Sequence, residues 1–244
     1  MTGALALLAA ASTLAGAPPT LERDHLPVLP QRGLVRDLRN GVELQTMRGR
    51  PLGVLRGLSL APDAATSRDL LMRDGRGSLY VLDRRARRVR QISDGPPTRR
   101  PCRVTDRRAQ VQLIVCKSTI RTRSAGGDVR VVVRAPRPIG HWERAAWSPR
   151  GTALFAQWSA ECEVPIAFLV IKGKMRPFGG TTMNDAPSSM ALGWLPNGSA
   201  VVHFPKAACG GSYHRAGIYA VPRRGQPTLL VRTPRFEYYW MWGG

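Results

Sequence analysis

Apolar and polar residues alternate along most of the chain in short runs broken by polar turns. Period-two alternation over such lengths predicts strands rather than helices. The run at residues 145–158, AAWSPRGTALFAQW, shows the device best. Pro149 presets φ for the first corner of a turn and cannot sit inside a central strand. Gly151 supplies the positive φ that a tight turn often needs. Beyond the turn, Ala153, Phe155 and Gln157 point one way, and Leu154, Ala156 and Trp158 the other. Both sets are mostly apolar, which predicts a strand buried between two layers. The stretch reads as a β-hairpin.

The device recurs in LGWLPNGSAVVHF, residues 192–204. Trp194 stands for Trp147, Pro196 for Pro149 and Gly198 for Gly151. Further back, Leu60 takes the tryptophan slot in LSLAPD (58–63), with Pro62 two residues on. Cys102 takes it in RPCRVTD (100–106), without a proline. Slots at 60, 102, 147 and 194 are spaced by 42, 45 and 47 residues. A second β-rich hairpin follows each slot, at 77–93, 127–139, 164–178 and 216–231. Four strands in a repeat of about 40–45 residues is the period of a β-propeller blade. A β-sandwich also has evenly spaced short strands, but has no reason to repeat Trp-x-Pro-x-Gly at that spacing.

The expected fold is therefore all-β: a propeller of about five four-stranded blades, or six if one unit is degenerate. Residues 32–49 resemble the second half of a unit without a slot. FEYYWMWGG (236–244) supplies the first half of a unit, with Trp240 in the slot. Pairing these two pieces closes the ring, as sharing one blade between the termini leaves few exposed edges. The second strand of that blade is unassigned, unless it comes from the proline-rich residues 26–31.

Composition then divides the chain. Residues 1–17 read as a secretory signal, an apolar stretch ending in Ala-Gly-Ala before Pro18-Pro19, although no Lys or Arg precedes it. A buried N-terminal helix is the alternative. Residues 18–31 read as a proline-rich lead-in, and 32–244 as the propeller. No run reaches the length of a membrane span. An even count of four cysteines in an exported chain predicts disulfides. The expected pairs are Cys102–Cys116 within one hairpin, and Cys162–Cys209 between the same loop of neighbouring units. A zinc site is the rival, but the Cys-x-x-Cys and His-x-x-x-His spacings are missing.

The net charge is +21, and only four of the 37 Lys and Arg residues are Lys. Such a charge attracts anionic surfaces. The basic runs 83–90 and 97–103 lack the interleaved aromatics of a single-strand binder, so nucleic acid is not an expected partner. Arginine filling exposed turns in a GC-rich genome explains the bias without any ligand.

Candidate chemistry is sparse. Gly57-Leu58-Ser59-Leu60-Ala61 approaches a nucleophile elbow, but lacks the final glycine and the following helix. Glu161 and Glu163 flank Cys162, so two carboxylates share one side of an extended segment. With His203, Tyr213 and His214 they form a candidate ligand face. A lone strand histidine is more often structural than catalytic. No triad, metal set or phosphate loop is visible, so no catalytic, metal or cofactor residues are assigned and no cofactor is expected.

The two Trp-containing hairpins, each followed by a VPIAFLVIKGKMRPF-type hairpin, resemble the Trp-Ser-Pro-Asp-Gly repeats of TolB-like, WD-type β-propellers. The resemblance covers about residues 56–233. Arg150 and Asn197 replace the usual Asp, Cys102 replaces Trp, and AATSR (64–68) is inserted. This repeat is a folding motif with no catalytic residue to transfer. The resemblance implies an exported binding or scaffold domain, periplasmic, cell-wall associated or extracellular. Its expected partner is a protein or cell-envelope polymer, and its expected state a monomer. The alternatives are a propeller hydrolase or lyase, and an arginine-driven binder of anionic envelope polymer.

Overall fold

A computed structural model describes residues 18–61, 70–94, 102–159, 165–182, 185–206, 216–233 and 238–242. Every regular element among them is a β-strand, and the strands form five antiparallel four-stranded sheets. Blade 1 holds β1 (Gly33–Leu38), β2 (Gly41–Thr46) and β3 (Pro51–Arg56). Blade 2 holds β4 (Leu58–Leu60), β5 (Leu71–Asp74), β6 (Leu79–Asp83) and β7 (Arg88–Ser93). Blade 3 holds β8 (Cys102–Arg108), β9 (Val111–Cys116), β10 (Thr119–Arg123) and β11 (Val129–Arg134). Blade 4 holds β12 (His141–Trp147), β13 (Leu154–Ser159), β14 (Pro165–Ile171) and β15 (Lys174–Pro177). Blade 5 holds β16 (Met190–Trp194), β17 (Ala200–Phe204), β18 (Gly217–Val221) and β19 (Thr228–Arg232). The chain then returns to blade 1 as β20 (Tyr239–Trp242), so the sheet order there is β20-β1-β2-β3.

The result is a five-bladed β-propeller. β4, β8, β12, β16 and β20 occupy the corresponding edge of each sheet. Side chains from β12 reach both β16 and β20, which places these edges around the central axis. The expected closure is present: β20 runs antiparallel to β1, with Trp240 opposite Val35 and Trp242 opposite Gly33. The strand left unassigned in this blade is β1 itself, and the fourth is β3, opening on Pro51. A proline is tolerated at the first residue of a strand, where it blocks no central ladder bond. Gly33 leaves room for the Trp242 ring, whose nearest atom would lie 2.1 Å from an added Cβ.

The repeated turn has the same hydrogen bonds in blades 4 and 5. Gly151 N donates to Ser148 O and Gly198 N to Leu195 O, and both glycines have positive φ. Two slots need correction. Trp147 and Trp194 end their strands opposite Leu154 and Ala200, the first residues of the next strands. By that register the slot of the last blade is Trp242, not Trp240. In blade 3 it is Arg108, opposite Val111, since Cys102 begins β8 and faces Cys116 across the hairpin. That pair forms the expected disulfide. The expected Cys162–Cys209 bridge and the 1–17 leader lie outside the described residues.

The two faces of β13 pack on different neighbours, as its alternation predicts. Ala153, just before it, and Phe155 join the core shared with blade 5, while Leu154, Ala156 and Trp158 join that shared with blade 3. Two further cores join blade 5 to blade 1 and blade 1 to blade 2. Among the described residues no apolar cluster joins blades 2 and 3.

The lead-in is built into the ring. Thr20 bridges Val54 in parallel, and Leu21 N and Val54 N donate to Val54 O and Pro19 O. Further on, Leu26 N donates to Arg87 O and Val89 N to Arg23 O. The segment thus covers the outer edges of blades 1 and 2, and buries Leu26 in their shared core. The outermost strand of every blade carries cations: Arg56, Arg88, Arg90, Arg130, Arg134, Lys174, Arg176 and Arg232. Positive charge at sheet edges deters unwanted edge pairing, which accounts for part of the arginine excess.

Candidate functional site at the channel

Three inner strands each carry one extra residue. The register shifts at Thr105 in β8, at Glu143 in β12 and at Leu192 in β16. A bulge leaves its extra residue unpaired and re-aims the neighbouring side chains; here Thr105 and Leu192 bond directly between blades, and Glu143 does so through Gln157 of its own blade. Thr105 Oγ1 donates to Ala145 O at 2.8 Å. Leu192 O accepts from the Arg144 guanidinium at 3.3 Å. Gln157 donates to the Glu143 carboxylate and accepts from Ala191 N of blade 5 at 3.2 Å.

Arg144 is the centre of this arrangement. Its guanidinium carbon sits 3.7 Å from the ring centroid of Trp240, across the axis in blade 1, and 5.0 Å from that of Phe155 in its own blade. The side chain is buried, and no described carboxylate lies within ion-pair distance of it. Burial pushes its pKa down to about 9, the nearby Arg103 adds to the fall, and Glu143 partly offsets it. Aromatic faces and a carbonyl take the place of a counter-ion, since a desolvated cation over an indole is attracted by the ring quadrupole. The arrangement ties blades 4, 5 and 1 together across the axis. The sequence reading missed it.

Carboxylates and rings make similar ties at the junctions. Asp37 Oδ1 accepts from Leu60 N of blade 2 at 3.2 Å, and burial raises its pKa while that bond lowers it. Asp106 Oδ2 accepts from Trp147 N of blade 4 at 2.8 Å. Trp194 stacks on Phe155 with centroids 5.8 Å apart and donates Nε1–H to Ala146 O at 3.1 Å. Trp194 therefore wedges between blades 4 and 5.

Of the candidate ligand face, only His203 lies among the described residues; Glu161, Glu163, Tyr213 and His214 do not. His203 is on β17, wholly buried, with Nε2 3.0 Å from Thr233 Oγ1 and its ring edge-on to Tyr239 of β20. Burial pushes its pKa down to about 3, so the imidazole is neutral. It joins blade 5 to the closing strand. Ser59 stands exposed on β4 and donates to Arg73 O at 3.3 Å. Among the described residues, no three His, Cys, Asp or Glu side chains gather closely enough to hold a metal ion. No described helix is long and apolar enough to cross a membrane. Compared with known proteins, the chain matches no family model and no curated protein.

Proposed function

We propose that the chain is an exported, non-enzymatic propeller of the TolB-like, Trp-Ser-Pro-Asp-Gly type, binding a protein of the cell envelope through loops at one end of the ring. The observation that carries this reading is the closure of the ring by β20 on β1. Interlocked termini, with side-chain ties between blades, make a stiff frame. A stiff frame presents its loops at low ordering cost on binding. The cations on the outer strands of all five blades favour a protein partner over a purely anionic polymer, because they are spread around the rim rather than gathered on one face. The Cys102–Cys116 disulfide suits an oxidising compartment.

The test is capture of envelope proteins by residues 18–244, comparing the unaltered chain with Glu161→Ala/Glu163→Ala and Tyr213→Ala/His214→Ala. The expected result is one saturable partner whose affinity falls at least tenfold in one of the two variants. Binding that never saturates, or that both variants keep unchanged, overturns the reading.

A further inference from the structure

We infer that β11, the outer strand of blade 3, is a docking edge for an extended acidic segment of a partner protein, which adds to the blade as a fifth strand. The inference rests on the binding role proposed above and adds to the loops a second contact surface for the same partner.

The five outer edges are not equivalent. The edge of β3 is already paired by the lead-in, through Leu21 N to Val54 O and Val54 N to Pro19 O, both 2.8 Å. The edge of β7 is bonded by Arg23 and Leu26. β15 has four residues and ends on Pro177. β19 has five, and its central three are half-buried. β11 is longer, with six residues, and is mostly exposed. Val129 and Val131 are 52% and 45% exposed.

The register shows where these valines point. Val129 lies opposite Arg123 and Val131 opposite Arg121, and Arg121 in turn faces Ile114. The alternate residues Leu113, Val115, Ile120 and Val133 fill the core shared with blade 4. The valines therefore lie on the other face of the sheet, towards blade 2, where no described apolar cluster covers them.

Charge selects the occupant. Arg123, Arg130 and Arg134 stand exposed on β10 and β11, and Arg88 and Arg90 are exposed on β7 of the next blade. The one described carboxylate beside the strand is Asp128, in the turn before it. A second copy pairing through β11 would bring Arg130 and Arg134 beside their own duplicates, which like-charge repulsion disfavours. An extended segment alternating apolar and acidic residues meets both demands. Its apolar side covers Val129 and Val131, the carboxylates of its other side meet Arg130, which lies opposite Thr122 on the far face, a carboxylate at its end reaches Arg134 at the end of the strand, and its backbone satisfies the free edge. The lead-in on β3 is the same kind of addition within one chain.

The probe is a blocked eight-residue peptide alternating valine and glutamate, followed by fluorescence anisotropy and by amide exchange of the protein. Saturable binding that slows exchange in residues 129–134 is expected. Val131→Asp and Arg130→Glu/Arg134→Glu should each weaken it about tenfold, while Lys174→Glu/Arg176→Glu on β15 leaves it unchanged. The paired arginine variant carries the test if Val131→Asp does not fold. Equal binding of an all-glutamate octamer, equal binding by both β11 variants, protection elsewhere, or a dimer formed through β11 in sedimentation overturns the inference. If the envelope partner is captured equally by Val131→Asp, the binding role stands and the β11 assignment falls. Peptide binding at β11 with no envelope partner captured supports the edge and counts against the wider role.

Discussion

His203 and Arg144 are both buried and ionisable, but burial leaves them in opposite charge states at neutral pH. For His203 the folded pKa of about 3 lies below the ordinary 6.5. The unfolded chain therefore takes up a proton at a pH where the folded chain does not. His203 costs nothing above pH 6.5, and its penalty grows as pH falls from 6.5 towards 3, by about 1.4 kcal/mol per pH unit. At pH 5 the loss is about 2 kcal/mol. Urea unfolding from pH 7 to 4 should show this slope, and His203→Gln should flatten it; an equal slope in both proteins rejects the role. In the sequence, a histidine in an alternating apolar run could be read as structural from its setting alone. Arg144 could not be found that way. Nothing in HWERAAW itself marks Arg144 as buried; the register with β13 shifts at Glu143, and the guanidinium lies over Trp240 of a distant blade.

At the scale of elements, the legible parts were those with local causes. Pro149, Gly151, Pro196 and Gly198 announce their turns without help from the rest of the chain, and the hairpins around them follow. The slots of blades 1 and 3 were misplaced because register belongs to two strands at once. Cys102 stands at blade spacing, yet its place is decided by Cys116 across the hairpin. The sequence marks residues 18–31 only as a proline-rich lead-in, because prolines without alternation carry no strand signal. Its contribution depends on two blades that come later in the chain. Leu26, about 1% exposed, fills the core between them. Leu26→Ala should cost about 2–4 kcal/mol through the lost contacts and the cavity, whereas the exposed neighbour Val28→Ala should cost almost nothing. Denaturant midpoints with unchanged slopes decide it; a cost below about 0.5 kcal/mol for Leu26→Ala means the segment is only draped on the ring.

The ring as a whole is uneven, and that was hidden from a reading of repeats, which treats every unit as alike. Apolar clusters join blades 1 and 2, 3 and 4, 4 and 5, and 5 and 1. Side-chain ties reinforce several of them, from Asp37, Asp106, Gln157 and Trp194. Between blades 2 and 3 the described surfaces offer Leu71, Leu79 and Val81 interrupted by Arg73 and Arg90 on one side, and Val104, Ile114 and Arg121 on the other. Arginine stems shield less apolar area from water than the leucines and tryptophans of the other junctions, and local stability follows the density of buried apolar contact. Native-state hydrogen exchange in low urea should therefore open β6–β7 and β10–β11 first. β13 and β17, buried on both faces, should exchange only with global unfolding. The acidic peptide should delay the first opening, because it adds backbone bonds at the seam's own edge. If all five blades instead lose protection together at one urea concentration, the propeller unfolds as a single unit and the junction between blades 2 and 3 is as strong as the rest.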